Sequence, residues 1–194
     1  WPVTFYLPTA YLDAPGGMPF QWLRAIERHA PLVAIEAAGE TFDFRVPGAI
    51  RDFARATTKT MYTRPWAEYG PRLRALADAL VAGGLVAPEL LAAPPAVTWP
   101  EVEKLAREGV VSFESHGITH TAVAALDDQA LERELVESRR AIAAHTGREC
   151  RHFCYPYGGA ASIGAAAPSQ VARHYRSATT MARGRLGHHA LELL

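Results

Sequence analysis

From Thr98 to Met181 the chain switches repeatedly between helical and extended signals, and this alternation restricts it to few architectures. "TWPEVEKLAREG" (98–109) carries a complete helix start and stop. Thr98 and Glu101 fit a capping box, Pro100 sits in the first turn, and Gly109 ends the run. "VVSFES" (110–115) follows as a strand. "LDDQALERELVESRRAIAAHTG" (126–147) is the clearest helix: Asp127 or Asp128 caps it, Leu131, Leu135 and Ile142 share one face, and Gly147 terminates it. "RHFCY" (151–155) reads as a strand, "PSQVARHY" (168–175) as a short helix and "RSATTM" (176–181) as a further strand. Strands that alternate with helices form βαβ units, so the expectation is an α/β fold with a parallel sheet.

The upstream half is less regular. "VTFYL" (3–7) reads as a buried strand closed by Pro8, and "MPFQWLRAIERHA" (18–30) has helical spacing. "AEYGPRLRALADALVAGG" (67–84) is a second helix, stopped at Gly83-Gly84. The stretch between, "TFDFRVPGAIRDFARATTKTMYTRPWAEY" (41–69), fits neither period and reads as an insertion. At 194 residues the chain suits one domain spanning 1–194.

Charge narrows the partners. Twenty basic residues balance twenty acidic ones, so no net field favours nucleic acid or an anionic membrane. A neutral ligand is expected. The most apolar region, "LVAGGLVAPELLAAPPAV", is broken by Gly-Gly, Pro, Glu and Pro-Pro and is no membrane span. No signal peptide is visible, but the chain opens on Trp1-Pro2-Val3, in mid-strand, and reads as a piece of something longer. Oligomeric state has no signature in the sequence. On a strand, Cys150 and Cys154 stand about 13 Å apart at ~3.3 Å per residue, too far for a disulfide. No second Cys/His cluster completes a zinc set with them, so they read as two buried thiols.

Chemistry concentrates in "SFESHGITHTAV" (112–123), where His116 and His120 follow a strand. A spacing of four occurs in helical zinc proteases, but there a Glu follows the first His, and here Gly117 does. Gly, Ile and Thr also make a poor helix. The pair instead sits at the carboxyl end of a strand, where α/β barrels collect active-site groups. Read alone, the two histidines are either metal ligands or polar residues at a strand end. "RHFCYPYGG", after the next helix, holds the second candidate turn.

Taken in order, "TWPEVEKLAREGVVSFESHGITHTAVAAL", the long capped helix and "RHFCYPYGG" resemble the polysaccharide deacetylase (NodB-homology) family, of carbohydrate esterase type. That family places Ser-His-x-x-x-His after one strand and a Tyr-Pro-Tyr-Gly or Pro-Pro-Tyr-Gly turn after the next. The resemblance extends to "PVTFYLPTAYLD" and "SQVARHYRSATT". It implies a distorted, TIM-like (β/α) barrel, incomplete in this chain. The implied activity is a metal-dependent hydrolase that removes N-acetyl groups from an amino-sugar polysaccharide or oligosaccharide. Zinc is the expected metal, with cobalt or nickel as alternatives. By resemblance His116 and His120 are ligands and the backbone N–H of Tyr157 is the oxyanion donor. Pro156 and Gly158 shape the turn, and Ser115 buttresses the loop. Tyr155 and Trp66 are substrate-binding candidates; Trp22, Tyr62 and Tyr69 are further aromatic surfaces for sugar rings. The 41–69 insertion is expected to flank the cleft. The family also favours the cell envelope, the periplasm or secretion.

Departures from the pattern matter as much. The family's Thr-Phe-Asp-Asp motif, which supplies the general base and a carboxylate ligand, is absent, so the base is unknown and this chain is expected to be a poor catalyst. Asp13 does not align with it. Cys154 stands where many members carry Arg. His188 and His189 are general-acid candidates, although a tail position favours exposure, and His29, His145, His152 and His174 read as structural or solvated. The alternative reading is a non-catalytic carbohydrate-binding homologue that lacks the Asp-Asp motif.

Overall fold

The computed structural model describes residues 1–13, 18–92 and 96–182. His188 and His189 lie outside the described residues. In chain order the elements are β1 (Val3–Leu7), α1 (Pro19–His29), β2 (Ala34–Ala37), β3 (Glu40–Asp43), α2 (Ala49–Met61), α3 (Trp66–Ala82), α4 (Pro88–Leu91), α5 (Trp99–Glu108), β4 (Val111–Ser115), α6 (Asp128–Thr146), β5 (His152–Cys154), α7 (Ala160–Ile163), α8 (Ala167–His174) and β6 (Ser177–Thr179). Two compact units divide them. One combines Trp1–Asp13 with the chain from Val97 onward, and the other covers Ala14–Ala96.

The first unit is the α/β body. Its four strands are all parallel in the order β1-β4-β5-β6. Each strand along the chain is therefore added on the same side of the last, which is the winding of a (β/α) barrel; a doubly wound sheet reverses direction. Among the described residues these four strands are half the number in a complete eight-stranded barrel. Register runs from Val3 opposite Val111 to Leu7 opposite Ser115, then Ser115 opposite Phe153. This alignment brings the carboxyl ends of β1, β4 and β5 together.

Local chemistry explains the helices of this unit. Thr98 Oγ1 accepts from the Glu101 N–H, and the Glu101 carboxylate accepts from the Thr98 N–H at 2.8 Å, closing the capping box of α5. Gly109 then adopts φ 81°. Asp127 caps α6 by accepting from the Ala130 N–H at 2.7 Å, and Gly147 ends it at φ 66°. The helix buries Leu131, Leu135 and Ile142 against Val102, Phe113 and Phe153 in one core. One expectation needs correction. β1 is not buried: Val3 is 46% and Phe5 51% exposed, and only Leu7 enters the core. The cause is topological, since β1 is an edge strand that pairs only with β4 among the described strands.

The second unit joins an antiparallel β2–β3 hairpin to α1, α2 and α3. Phe53 meets Phe42 of β3 and Phe44 just beyond it edge-on, each at 5.6 Å. The 41–69 stretch, for which neither period is expected, contains the end of β3, the whole of α2 and the start of α3. Within it, Ile50, Phe53, Ala54, Thr57 and Met61 do recur at helical spacing, and α2 buries Ala54, Thr57 and Met61, so this part of the stretch has a helical period after all. Cys150 and Cys154 are both free thiols, the first fully buried and the second partly so. Among the described residues no helix is long and apolar enough to cross a membrane.

Candidate functional site

β4 ends at Ser115 and β5 at Cys154, and the next residues of each chain turn form the site. His116 is the first residue beyond β4, and its N–H donates to the Leu7 carbonyl at 3.0 Å. Its Nδ1 lies 2.6 Å from the Cys154 carbonyl oxygen. A carbonyl can only accept, so Nδ1 carries the hydrogen and Nε2 keeps its lone pair. The His120 ring stands nearly perpendicular to that of His116, with centroids 4.7 Å apart. Tyr157, from the turn after β5, packs edge-on against His120 at 4.9 Å. His116, His120 and Tyr157, far apart in sequence, thus converge at the carboxyl ends of adjacent strands.

Burial controls the charge of the pair. It pushes the His116 imidazole below its ordinary range, against the opposing pull of its bond to the Cys154 carbonyl. His120 falls to about 4, through burial first and the neighbouring His116 second. Both rings are therefore neutral near pH 7, the form in which imidazole binds metal. Among the described residues, no third His, Cys, Asp or Glu joins them to make a group of three.

The turn between the two histidines is held from outside. Thr9 and Ala10 donate their N–H groups to the carbonyls of Gly117 and Ile118, at 3.1 and 2.9 Å. The Tyr11 hydroxyl donates to the Thr119 carbonyl at 3.0 Å. Ser115 Oγ accepts from the Gly117 N–H at 3.1 Å and pairs with Ser138 Oγ of α6 at 2.7 Å, which makes it a buttress of the loop. From α6 the Glu134 carboxylate accepts from the N–H groups of Ile118 and Thr119 and from Thr119 Oγ1, the last at 2.6 Å. Nothing in a short motif points to Glu134. The available signal was its place on the apolar stripe of α6, between Leu131 and Ser138, where a carboxylate is buried only when paired.

The second turn is equally constrained. Pro156 is fully buried behind a trans peptide bond. Tyr157 takes φ 63° and Gly158 φ 61°. A Cβ at position 158 would meet the Met181 nitrogen at 2.8 Å, and the Met181 N–H donates to the Gly158 carbonyl at 2.9 Å. His120 also has a positive φ, of 58°. Two non-glycine residues in left-handed backbone within one small site represent strain of about 1–3 kcal/mol each, of the kind that functional sites hold.

Other candidates fall elsewhere. Tyr155 lies in the core at 2% exposed, edge-on to Phe153 at 5.2 Å, with burial raising its hydroxyl to about 12; in this conformation its ring offers no surface to a sugar. Strand alternation explains this, because Phe153 and Tyr155 are two apart and share the inward face. Trp66 belongs to the second unit, half-buried beside Trp22 at 5.7 Å and Tyr69 at 5.2 Å, and fills the space left by Gly70. Tyr69 is buried and Tyr62 sits at the end of α2. Asp13 accepts at 3.4 Å from the Trp99 N–H at the start of α5. His145 stacks on Trp99 at 4.0 Å and pairs with Glu103, while His174 pairs with Glu132 and His152 with Ser177. These three histidines are structural, as their sequence context suggests.

The family model described as "Polysaccharide deacetylase" matches residues 57–173, which is 117 of 194 residues and includes both turns. The chain belongs to the polysaccharide deacetylase family. No curated protein sequence matches it. Among solved structures it is similar to BC0361, a polysaccharide deacetylase from Bacillus cereus, at 24% identity and TM-score 0.42, over 46% of this chain and 27% of that one. It is also similar to the BA0330 protein from Bacillus anthracis, at 14% identity and TM-score 0.41, over 92% of this chain and 57% of that one. A third is the Streptococcus pyogenes deacetylase PplD in complex with acetate, at 11% identity and TM-score 0.39, over 90% and 80%. The chain spans about a quarter of the first structure's length and just over half of the second's. The family assignment rests on the model match.

Proposed function

We propose that this chain carries part of the active site of a metal-dependent hydrolase that removes N-acetyl groups from an amino-sugar polysaccharide. Family membership supports deacetylation of a polysaccharide. The observation that carries the metal reading is the His116–His120 pair. Its two neutral imidazoles stand 4.7 Å apart, one fixed through Nδ1 in the tautomer that leaves Nε2 as a donor atom. Two imidazoles suit zinc, and cobalt or nickel equally by donor type. When bound, such an ion supplies Lewis acidity toward an acetamide carbonyl and toward water.

The residues of the chain take the remaining roles. His116 and His120 hold the ion. The Tyr157 N–H, in a backbone turned by two successive positive-φ residues, is assigned to the oxyanion that develops on the acetamide oxygen. A donor of this kind is worth about 10²–10³ in rate. Pro156 and Gly158 fix the direction of that N–H, and Ser115 keeps the neighbouring loop in place.

The test combines metal binding with turnover. Calorimetric titration of the 194-residue chain should find one zinc equivalent, lost in both His116→Ala and His120→Ala. Whatever acetate the chain releases from an N-acetylglucosamine oligomer, slowly for want of the missing base, should require zinc and should disappear in the same two variants. Zinc binding that is unchanged by either substitution would remove the metal assignment.

A further inference from the structure

We propose that Glu134 is a positioning residue for the histidine pair: from α6 its carboxylate clamps the turn that joins His116 to His120 and sets the spacing of the two imidazoles before any metal arrives. The proposal rests on the reading of that pair as metal ligands. It begins from the unusual place of a carboxylate. Glu134 is 9% exposed and sits on a helix stripe otherwise made of Leu131, Leu135, Ser138 and Ile142. Burying a charge there is costly unless donors surround it.

The donors all come from one short turn. The Ile118 N–H, the Thr119 N–H at 3.1 Å and the Thr119 hydroxyl at 2.6 Å converge on the two carboxylate oxygens. Thr119 Oγ1 in turn lies 2.7 Å from Thr121 Oγ1, so the network reaches both sides of His120. Gly117 makes the approach possible. A Cβ at that position would stand 2.8 Å from Glu134 Oε2, and its φ of 78° also suits glycine. On the opposite side, Thr9, Ala10 and Tyr11 hold the carbonyls of the same turn. The turn has no repeating structure of its own, and His120 sits in it at φ 58°. Its shape is therefore imposed by groups outside it, of which Glu134 contributes the most bonds. Fixing a ligand through its surroundings is the usual source of metal-site geometry, and loss of such a partner costs 10–100-fold in affinity.

Glu134→Gln is the sharpest perturbation, because it keeps the shape and reverses half of the chemistry. An amide has one acceptor oxygen: turned one way its NH₂ faces the Ile118 and Thr119 N–H donors, and turned the other it meets Thr119 Oγ1, whose hydroxyl must reverse toward Thr121 and loses its charged acceptor. Leu135→Ala, the next residue on the same helix and fully buried, is the control for general destabilisation. Zinc titration of the 194-residue chain should show affinity weakened by about 10–100-fold in Glu134→Gln. Leu135→Ala should stay within about 3-fold of the parent, although its thermal midpoint falls at least as far. Without metal, hydrogen exchange at the Ile118 and Thr119 amides should accelerate by about 10-fold or more in Glu134→Gln alone. Equal zinc affinity in Glu134→Gln and the parent, or equal losses in both variants, would overturn the proposal.

The two readings fail separately. If the parent binds no zinc, the metal reading falls and the exchange rates alone decide on the clamp. Acceleration confined to Glu134→Gln then supports it, and matched acceleration in Leu135→Ala refutes it. If Glu134→Gln does not fold, Thr119→Val removes the hydroxyl that donates to the Glu134 carboxylate at 2.6 Å. It should weaken zinc by a smaller factor in the same direction, and an unchanged affinity would overturn the clamp.

Discussion

Replacing Gly158 by Ala tests how tightly the Tyr157 turn is built. The residue has φ 61°, and an added Cβ would lie 2.8 Å from the Met181 nitrogen and 2.9 Å from Met181 Cγ. The first contact is with backbone whose N–H already donates to the Gly158 carbonyl, so side-chain rotation alone cannot relieve it. Left-handed backbone costs a non-glycine residue about 1–2 kcal/mol, and overpacking of this kind adds about 1–3 kcal/mol. The expected loss is centred near 3 kcal/mol, or a fall of about 6–12 °C in Tm for a chain of this size. Gly147→Ala supplies the internal comparison. It has almost the same φ, 66°, but no atom within 4 Å of the added Cβ, so only the conformational cost of about 1–2 kcal/mol applies. Thermal denaturation followed by circular dichroism reads both variants against the parent. A Gly158→Ala midpoint no lower than that of Gly147→Ala would refute the close approach of Gly158 to Met181. In an active preparation the same variant should lose acetate release by about 10²-fold, because a shift of about 1 Å in a positioned group is enough for that.

Two further outcomes follow from buried groups. Glu114 is 7% exposed, and one of its carboxylate oxygens accepts from the N–H groups of both Arg151 and His152 at 2.7 Å; Glu114→Ala leaves two amides unpaired at the start of β5 and should cost about 2–4 kcal/mol in urea denaturation, a loss under about 1 kcal/mol contradicting the pair of hydrogen bonds. Burial pushes the Cys150 thiol up to about 12, so at pH 8 its thiolate is about 10³-fold scarcer than that of an ordinary cysteine, and an aromatic disulfide reagent should label Cys154 first and Cys150 only on unfolding; equal labelling rates in the folded chain would contradict this.

The site holds its shape by tethers from several parts of the fold. The Leu7 carbonyl, the 9–11 segment, the Cys154 carbonyl, Ser115, and Glu134 and Ser138 of α6 all bear on the two histidines or on the turn between them. This is the arrangement that preorganised ligand sets require, since a free five-residue turn would sample many spacings of the two imidazoles. The strain at His120 and Tyr157 is tolerable only because these outside bonds over-determine the backbone there.

Element types in the α/β body were legible without coordinates, because their signals are local. The capping box at Thr98 and Glu101, the Asp127 cap, the αL glycines at 109 and 147 and the apolar face of α6 all act within a few residues along the chain. The parallel sheet followed from the alternation of those elements. The two histidines and the Tyr157 turn were legible as motifs, since each lies just past a strand. What remained hidden depends on residues far apart in sequence. The exposure of Val3 and Phe5 is set by which strand forms the sheet edge. The burial of Tyr155 reflects the face that its strand turns toward the core. Which residues of the amphipathic helix Ala49–Met61 are buried, namely Ala54, Thr57 and Met61, is decided by partners in its own unit. The tautomer of His116, with its hydrogen on Nδ1, exists only because Cys154, 38 residues away, offers a carbonyl, and the bonds of Glu134 to the 118–119 turn only because α6 packs across β4. Periodicity and capping are short-range properties that any window of the chain displays, whereas burial, tautomer and the convergence of donors on a carboxylate are set by the partners that folding brings into contact.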